Sequence, residues 1–315
     1  MPVCAATRTP GRKETWRMTM RSPRSGNDVA TAMSEFFVGD DPHRMYVQHW
    51  HSFAPASESR GPAVLVHGGF HSGIVWTTTP DGRPGWAHLL AAAGWDVYVV
   101  DWPGTGRSGL NAESVGVTAA AVVDGLAALV EQTGPAVMIG HSIGAALSFK
   151  LAERRPAAVR AIVAVAPASV ESPVVGWDSA PLDDFVYFPE PVVRSLFANS
   201  DAFPHEAFDN YMSSVVPSTP AIFNASLGLT EDLKTDPSVD PGWGNRIPML
   251  LLVADQDQLI PEVRSAETSA ALGVAVTRLA DDWGLPGHGH NFIVEIGSDA
   301  IAGRVVEWLA RPEVR

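Results

Sequence analysis

Ala136-Val137-Met138-Ile139-Gly140-His141-Ser142-Ile143-Gly144 passes from an apolar run to a glycine-flanked serine, and then, over Ala145–Glu153, to a helical pattern ended by Pro156. A strand, a tight turn and a helix form the setting in which Gly-x-Ser-x-Gly has chemical meaning. The serine must stand on a sharp turn, so the positions two residues to either side must be small. Gly140 and Gly144 meet that need. The start of the following helix places partial positive charge and free N–H groups beside the hydroxyl. Ser142 therefore reads as a nucleophile.

The same alternation of apolar run and helix extends in both directions. Short runs occur at Ala63–Val66, Val97–Val100, Ala161–Val165, Met249–Val253 and Val274–Thr277. Helical patterns fall near Gly85–Ala93, Thr118–Glu131, Glu262–Leu272 and Asp299–Leu309. Continuous apolar runs separated by helices suit a mostly parallel central sheet buried on both faces, an α/β fold. Ahead of them, Phe36–Gly39 and Arg44–Trp50 read as two strands around a turn at Asp40-Asp41-Pro42.

Residues 168–246 interrupt the alternation. They are rich in proline and in aromatics such as Trp177, Phe188, Phe197, Tyr211, Phe223 and Trp243. A structureless loop of that length does not suit a compact domain, so a mostly helical cap inserted between two strands is expected. Its aromatic side chains suit an apolar ceiling over a substrate pocket. Residues 1–35 lack apolar periodicity and carry six basic against three acidic side chains. They read as a disordered or weakly ordered tail. The core is then 36–167 together with 247–315.

Three further signals complete a candidate site. His67-Gly68-Gly69-Phe70 follows a strand, and a glycine-rich turn there can aim backbone N–H groups at a ligand. Acyl transfer builds a negative oxygen that such donors stabilise. The expected donors are Ile143 N–H and that of Gly69 or Phe70, with His67 a structural residue of the turn. Near the end, Gly287-His288-Gly289-His290-Asn291 supplies an imidazole, the base a serine hydroxyl needs. His290 is preferred to His288 because it sits closest to the final helix. After Met249–Val253 comes Ala254-Asp255-Gln256-Asp257. A carboxylate there can hold the imidazole tautomer and stabilise the imidazolium. Asp257, further out on the loop, is preferred, with Asp255 as the alternative.

Composition narrows the function classes. Thirty-five Asp and Glu against twenty-two Lys and Arg give a net charge of −13, the wrong sign for a nucleic-acid footprint or for attraction to anionic membranes. The single cysteine, Cys4, excludes an internal disulfide or a Cys-rich zinc site. No P-loop or dinucleotide fingerprint occurs. The pairs His49/His51 and His288/His290 have no acid at a metal-motif spacing, so no metal or other cofactor is expected. No apolar run is long enough for a membrane span, and no signal-peptide pattern is evident. A cytoplasmic protein is expected, with assembly into a homo-oligomer left open.

The order Ser142, Asp257, His290, with a His-Gly turn upstream, resembles the α/β-hydrolase superfamily from about residue 36 to the C-terminus. Asp101-Trp102-Pro103-Gly104-Thr105-Gly106-Arg107-Ser108 is similar to the D-x-P-G-x-G-x-S turn of many members. Trp76–Trp86 and Phe36–Gly39 look like a bacterial serine carboxylesterase branch. That branch places its acid as a Glu just after the strand that follows the nucleophile helix, where this chain has Ala166. The departure means either that the acid has moved to Asp257 or that the triad is incomplete, and it makes Glu171 a third candidate. The resemblance implies hydrolysis of a small carboxylic ester or lactone with an apolar part, through an acyl-enzyme. The alternatives are other serine-dependent chemistry (C–C hydrolase, amidase, thioesterase) and a non-catalytic ligand-binding protein of the same fold.

Overall fold

Eight strands lie in one sheet of the computed structural model, which describes residues 33–40, 43–169, 171–236, 246–312 and 314. In chain order they are β1 (Met33–Val38), β2 (Met45–Trp50), β3 (Pro62–Val66), β4 (Asp96–Asp101), β5 (Ala136–His141), β6 (Val159–Val165), β7 (Met249–Val253) and β8 (Val276–Arg278). Their spatial order is β1-β2-β4-β3-β5-β6-β7-β8. The β1/β2 and β2/β4 pairs are antiparallel, and every pair from β4/β3 to β7/β8 is parallel.

Side-chain alternation divides each central strand between two apolar layers. Ala63, Leu65, Val137, Ile139, Ala161 and Val163 join the layer that holds Trp86, Leu90, Ile301 and Val305. Val64, Val66, Ala136, Met138, Ile162 and Ala164 join the layer that holds Val122, Leu126, Leu147 and Leu151. The helices follow from that division. Trp86–Ala92 and Ser298–Leu309 pack on one face, while Ala119–Thr133 and Ile143–Arg154 cover the other. Burying apolar residues on both faces is the reason these strands read as unbroken hydrophobic runs.

Two expectations need correction. Met33, Ser34 and Glu35 belong to β1 and pair with Trp50, His49 and Gln48, so the ordered chain begins before residue 36. Cys4 and the rest of 1–32, the Asp41-Pro42 part of the first turn, and Trp243 lie outside the described residues. The described part of the segment between β6 and β7 is less helical than expected. Among its described residues, the α-helices are Glu190–Phe197, Phe208–Ser214 and Pro220–Ser226, joined by long irregular stretches. Pro173, Pro181, Pro189, Pro204 and Pro217 account for this. Each removes a backbone donor and disfavours helix in the residue before it. Among the described residues no helix is long and apolar enough to cross a membrane.

Candidate active site

Ser142, the Gly69–Phe70 turn and Asp257 lie just beyond the carboxyl ends of the parallel strands β5, β3 and β7, where open α/β sheets gather their ligands, and His290 lies on the loop that follows β8 and a short helix, Leu279–Trp283. Ser142 follows β5 and precedes the helix Ile143–Arg154 with φ 53° and ψ −121°. A side chain there is strained by about 1–3 kcal/mol, and the surroundings fix it in place. Ser142 N–H donates to Val165 O at 2.8 Å, and Ser142 O accepts from Ala168 N–H at 3.2 Å. The flanking glycines are sterically required. A Cβ on Gly140 would stand 2.5 Å from Gly144 O, and one on Gly144 would stand 2.4 Å from both Val66 O and His67 O. The turn therefore packs backbone to backbone against the end of β3.

On the far side of that contact lies the glycine-rich turn. A Cβ on Gly68 would meet Ser142 Cβ at 3.1 Å and His141 Nδ1 at 2.7 Å. A Cβ on Gly69 would approach Ile143 Cγ2 at 3.8 Å. Phe70 adopts φ 61°, which re-aims the chain at this point. Among the described residues, the N–H groups of Gly69, Phe70 and Ile143 have no protein acceptor. For Ile143 this follows from its position as the first residue of a helix. His67 is fully buried, lies against Trp102 at 3.8 Å between ring centroids, and donates from Nδ1 to Gly68 O at 2.8 Å. Burial lowers its pKa to about 4, so it acts as a neutral brace of the turn.

His290 Nδ1 and Asp257 Oδ2 lie 2.9 Å apart, and both side chains are buried. The carboxylate can only accept, so Nδ1 carries the proton and Nε2 keeps its lone pair. Oδ1 of Asp257 accepts the N–H groups of Leu259 at 2.9 Å and Ile260 at 2.8 Å. The imidazole lies beside the residue that precedes Ser142. His141 Nε2–H donates to His290 O at 3.0 Å, and the two rings are 4.9 Å apart.

The other candidate acids do different work. Asp255 accepts N–H groups from Gly287 and His288, tying down the loop that carries His290. Glu171 accepts from the backbone and hydroxyl of Thr235. His288 points to a separate buried carboxylate, with Nδ1 3.0 Å from Glu295 Oε2. At the position of the expected glutamate, Ala166 is buried with φ 43° and donates its N–H to Leu252 O.

Sequence reasoning missed a buried polar relay that joins three parts of the chain. His71 Nδ1–H donates to Gly69 O at 2.8 Å, which leaves Nε2 to accept from Tyr211 Oη at 2.7 Å. Asn291 Nδ2 donates to the same Tyr211 oxygen at 2.7 Å and to Phe197 O at 3.1 Å. The turn after β3, the segment between β6 and β7 and the His290 loop are thus locked together. Burial lowers the His71 pKa to about 3 and holds the Tyr211 phenol well above its ordinary value, so both remain neutral. No motif spacing announces such a relay, although the adjacency of Asn291 to His290 was a local cue.

Aromatic rings roof the site. Phe70 stacks on Phe188 at 3.7 Å, and Phe188 touches Trp177, Phe197 and Phe223. Phe197 lies nearly parallel to the His290 ring at 5.9 Å. Beneath this roof Ser142 keeps 8% of its surface exposed.

Comparisons with known proteins agree with this architecture. A fungal protein (strain ATCC 74256), "Probable secreted lipase phiG", is 23% identical over 205 residues, or 47% of this chain, and the match spans 56% of that protein's length. Among solved structures, a "Novel Bacterial Esterase" aligns with TM-score 0.57 at 18% identity, covering 94% of this chain and all of the other. The monoacylglycerol lipase of Paleococcus ferrophilus aligns with TM-score 0.56 at 22% identity, covering 84% and 98%. These structural likenesses concern the fold alone. The family model of the alpha/beta hydrolase family matches residues 63–303, from β3 into the last helix, and the chain belongs to that family.

Proposed function

We propose that this protein is a serine hydrolase that cleaves a carboxylic ester or lactone with an apolar part, through an acyl-enzyme on Ser142. The observation that carries the reading is the buried 2.9 Å contact between Asp257 and His290 beside the strained Ser142 turn. A carboxylate, an imidazole held in one tautomer and a serine at a helix N-terminus form the constellation that acyl transfer needs.

In this reading His290 Nε2 takes the Ser142 hydroxyl proton as Oγ attacks the carbonyl carbon. The carbonyl electrons move to oxygen, and that oxyanion faces Ile143 N–H and an N–H of the Gly69–Phe70 turn. Asp257 stabilises the imidazolium without taking its proton. The tetrahedral intermediate collapses, the alcohol oxygen leaves with the proton from His290, and an acyl-serine remains. Water then enters, gives its proton to His290 and attacks the acyl carbon. Collapse of the second intermediate returns the proton to Ser142 Oγ and releases the acid. The rings of Phe70, Phe188 and Phe197 offer an apolar wall, which favours a substrate with a hydrocarbon portion and disfavours a charged one.

Steady hydrolysis of p-nitrophenyl acyl esters by the protein tests this reading, with Ser142→Ala measured alongside. Turnover that disappears in the variant supports it. Equal rates in the two proteins, or no turnover with acetyl through octanoyl esters, contradict it.

A further inference from the structure

The sequence places His49 and His51 two residues apart without a nearby acid, and the fold supplies one. β2 and β4 are antiparallel with His49 opposite Tyr98 and Trp50 opposite Val97, His51 is the first residue past β2 and Asp96 the first of β4, and the His51 ring lies 3.9 Å from that of His49. Residues two apart on a strand share a face. His49, His51, Asp96 and Tyr98 therefore project from the same side of the sheet.

We propose that His49, His51 and Asp96 form a binding site for a divalent transition-metal ion of the zinc class. One ligand atom from each residue lies within 4.8 Å of the other two. The imidazole rings are 3.9 Å apart, and His49 Nε2 lies 3.5 Å from Asp96 Oδ1. His49 Nε2 is also buried without a hydrogen-bond partner. A buried nitrogen left without a hydrogen bond in the protein is unusual, and this one lies 3.5 Å from Asp96 Oδ1.

The groups behind the ligands suit the same purpose. Tyr98 stacks on the His49 ring at 4.1 Å and 12°, fixing its orientation. Ser59 Oγ donates to Asp96 Oδ2 at 2.8 Å, and Ser52 N–H donates to Oδ1 at 3.2 Å. Outer hydrogen bonds of this kind hold ligating carboxylates in place. Tetrahedral zinc with nitrogen and oxygen ligands at ~2.0–2.1 Å brings them about 3.3–3.5 Å apart, which His49 Nε2 and Asp96 Oδ1 already meet at 3.5 Å and which side-chain rotation brings within reach of the third. Two imidazoles and a carboxylate leave a fourth position for water. Two imidazole nitrogens place copper(II) above zinc in intrinsic affinity and calcium or magnesium far below.

Asp96 begins β4, whereas Ser142 lies past the end of β5, and these strands run parallel within the sheet. The metal site is therefore at the opposite end of the strands from the hydrolytic site and does not depend on the proposed hydrolysis. A bound ion would clamp the end of β2 to the start of β4.

The test uses untagged full-length protein, stripped with a chelator and titrated with zinc chloride by calorimetry, with thermal melts in parallel. One zinc per chain should bind at micromolar concentration and raise the melting midpoint. His51→Ala and the more conservative His51→Gln should each weaken binding by about 10–100-fold or more. Both should keep the wild-type circular dichroism spectrum and ester turnover. No zinc binding by the wild type overturns the proposal, as does zinc binding of equal affinity in both His51 variants.

Discussion

Asp257 and His290 are joined by a hydrogen bond of 2.9 Å between two side chains that solvent scarcely reaches, and the second carboxylate oxygen is held by two backbone N–H groups. The carboxylate thus has one orientation, and it imposes one tautomer on the imidazole. Asp257→Asn presents an amide that can place its N–H against Nδ1 and reverse that tautomer. The variant should fold normally and lose about 10⁴-fold in kcat with little change in KM. Asp255→Asn, which disturbs only the loop's backbone contacts, should lose much less. Steady-state kinetics on both variants checks this, and similar losses in the two would dissociate Asp257 from the chemistry.

The strain at Ser142 has a thermodynamic signature. Ser142→Gly removes a side chain from φ 53° and should raise stability by about 1 kcal/mol. Ser142→Ala keeps the strained Cβ and should not. Conversely, Gly144→Ala drives a Cβ into two backbone oxygens and should cost at least about 3 kcal/mol or prevent folding. Denaturant titrations of the soluble variants distinguish these outcomes.

Glu295 anchors the loop on which His290 sits. It is fully buried and accepts from Ser200 Oγ at 2.7 Å and Gly289 N–H at 3.0 Å, and its Oε2 meets His288 Nδ1. Glu295→Ala leaves several donors unpaired and should destabilise the protein by about 3 kcal/mol or more. Glu295→Gln should restore part of that loss. Chemical denaturation at pH 7 measures both.

Acid should unfold the protein earlier than its carboxylates alone would require. Burial lowers the pKa of His67 to about 4 and of His71 to about 3, and holds His141 well below its usual value. Below pH 6.5 the unfolded chain binds protons at these positions while the folded chain does not, so stability falls with falling pH. His67 and His71 each lose roughly 1 kcal/mol of stability per pH unit, beginning near 6.5 and continuing to about 4 for His67 and about 3 for His71. Melting midpoints from pH 8 to 5 should be flat at first and then drop below 6.5. A constant midpoint down to pH 5 would contradict this account of the buried rings.

The legible parts of the fold were those written in local pattern. The Ala63–Val66, Ala136–Ile139 and Ala161–Val165 runs are strands because both their faces are buried, and unbroken hydrophobicity records that directly. Gly140 and Gly144 were legible because a backbone contact admits no Cβ. Much of the 168–246 segment was not, since its prolines mark where helix stops without saying how the remaining chain packs. The Gly69–His71–Tyr211–Asn291 relay escaped for another reason. Its members are far apart in sequence and each is an ordinary core residue when read alone. Asp96 escaped likewise, because its partners His49 and His51 lie on and just past a neighbouring strand, and only the folding of that strand beside β4 unites them.

The central claim is that Ser142 becomes covalently acylated with His290 as its base. The most direct measurement is intact-mass analysis after incubation with a fluorophosphonate, followed by peptide mapping. One adduct per chain on the peptide containing Ser142 is predicted, with labelling lost in Ser142→Ala and greatly slowed in His290→Ala. No adduct on the wild-type protein, or an adduct that persists unchanged in Ser142→Ala, would contradict it.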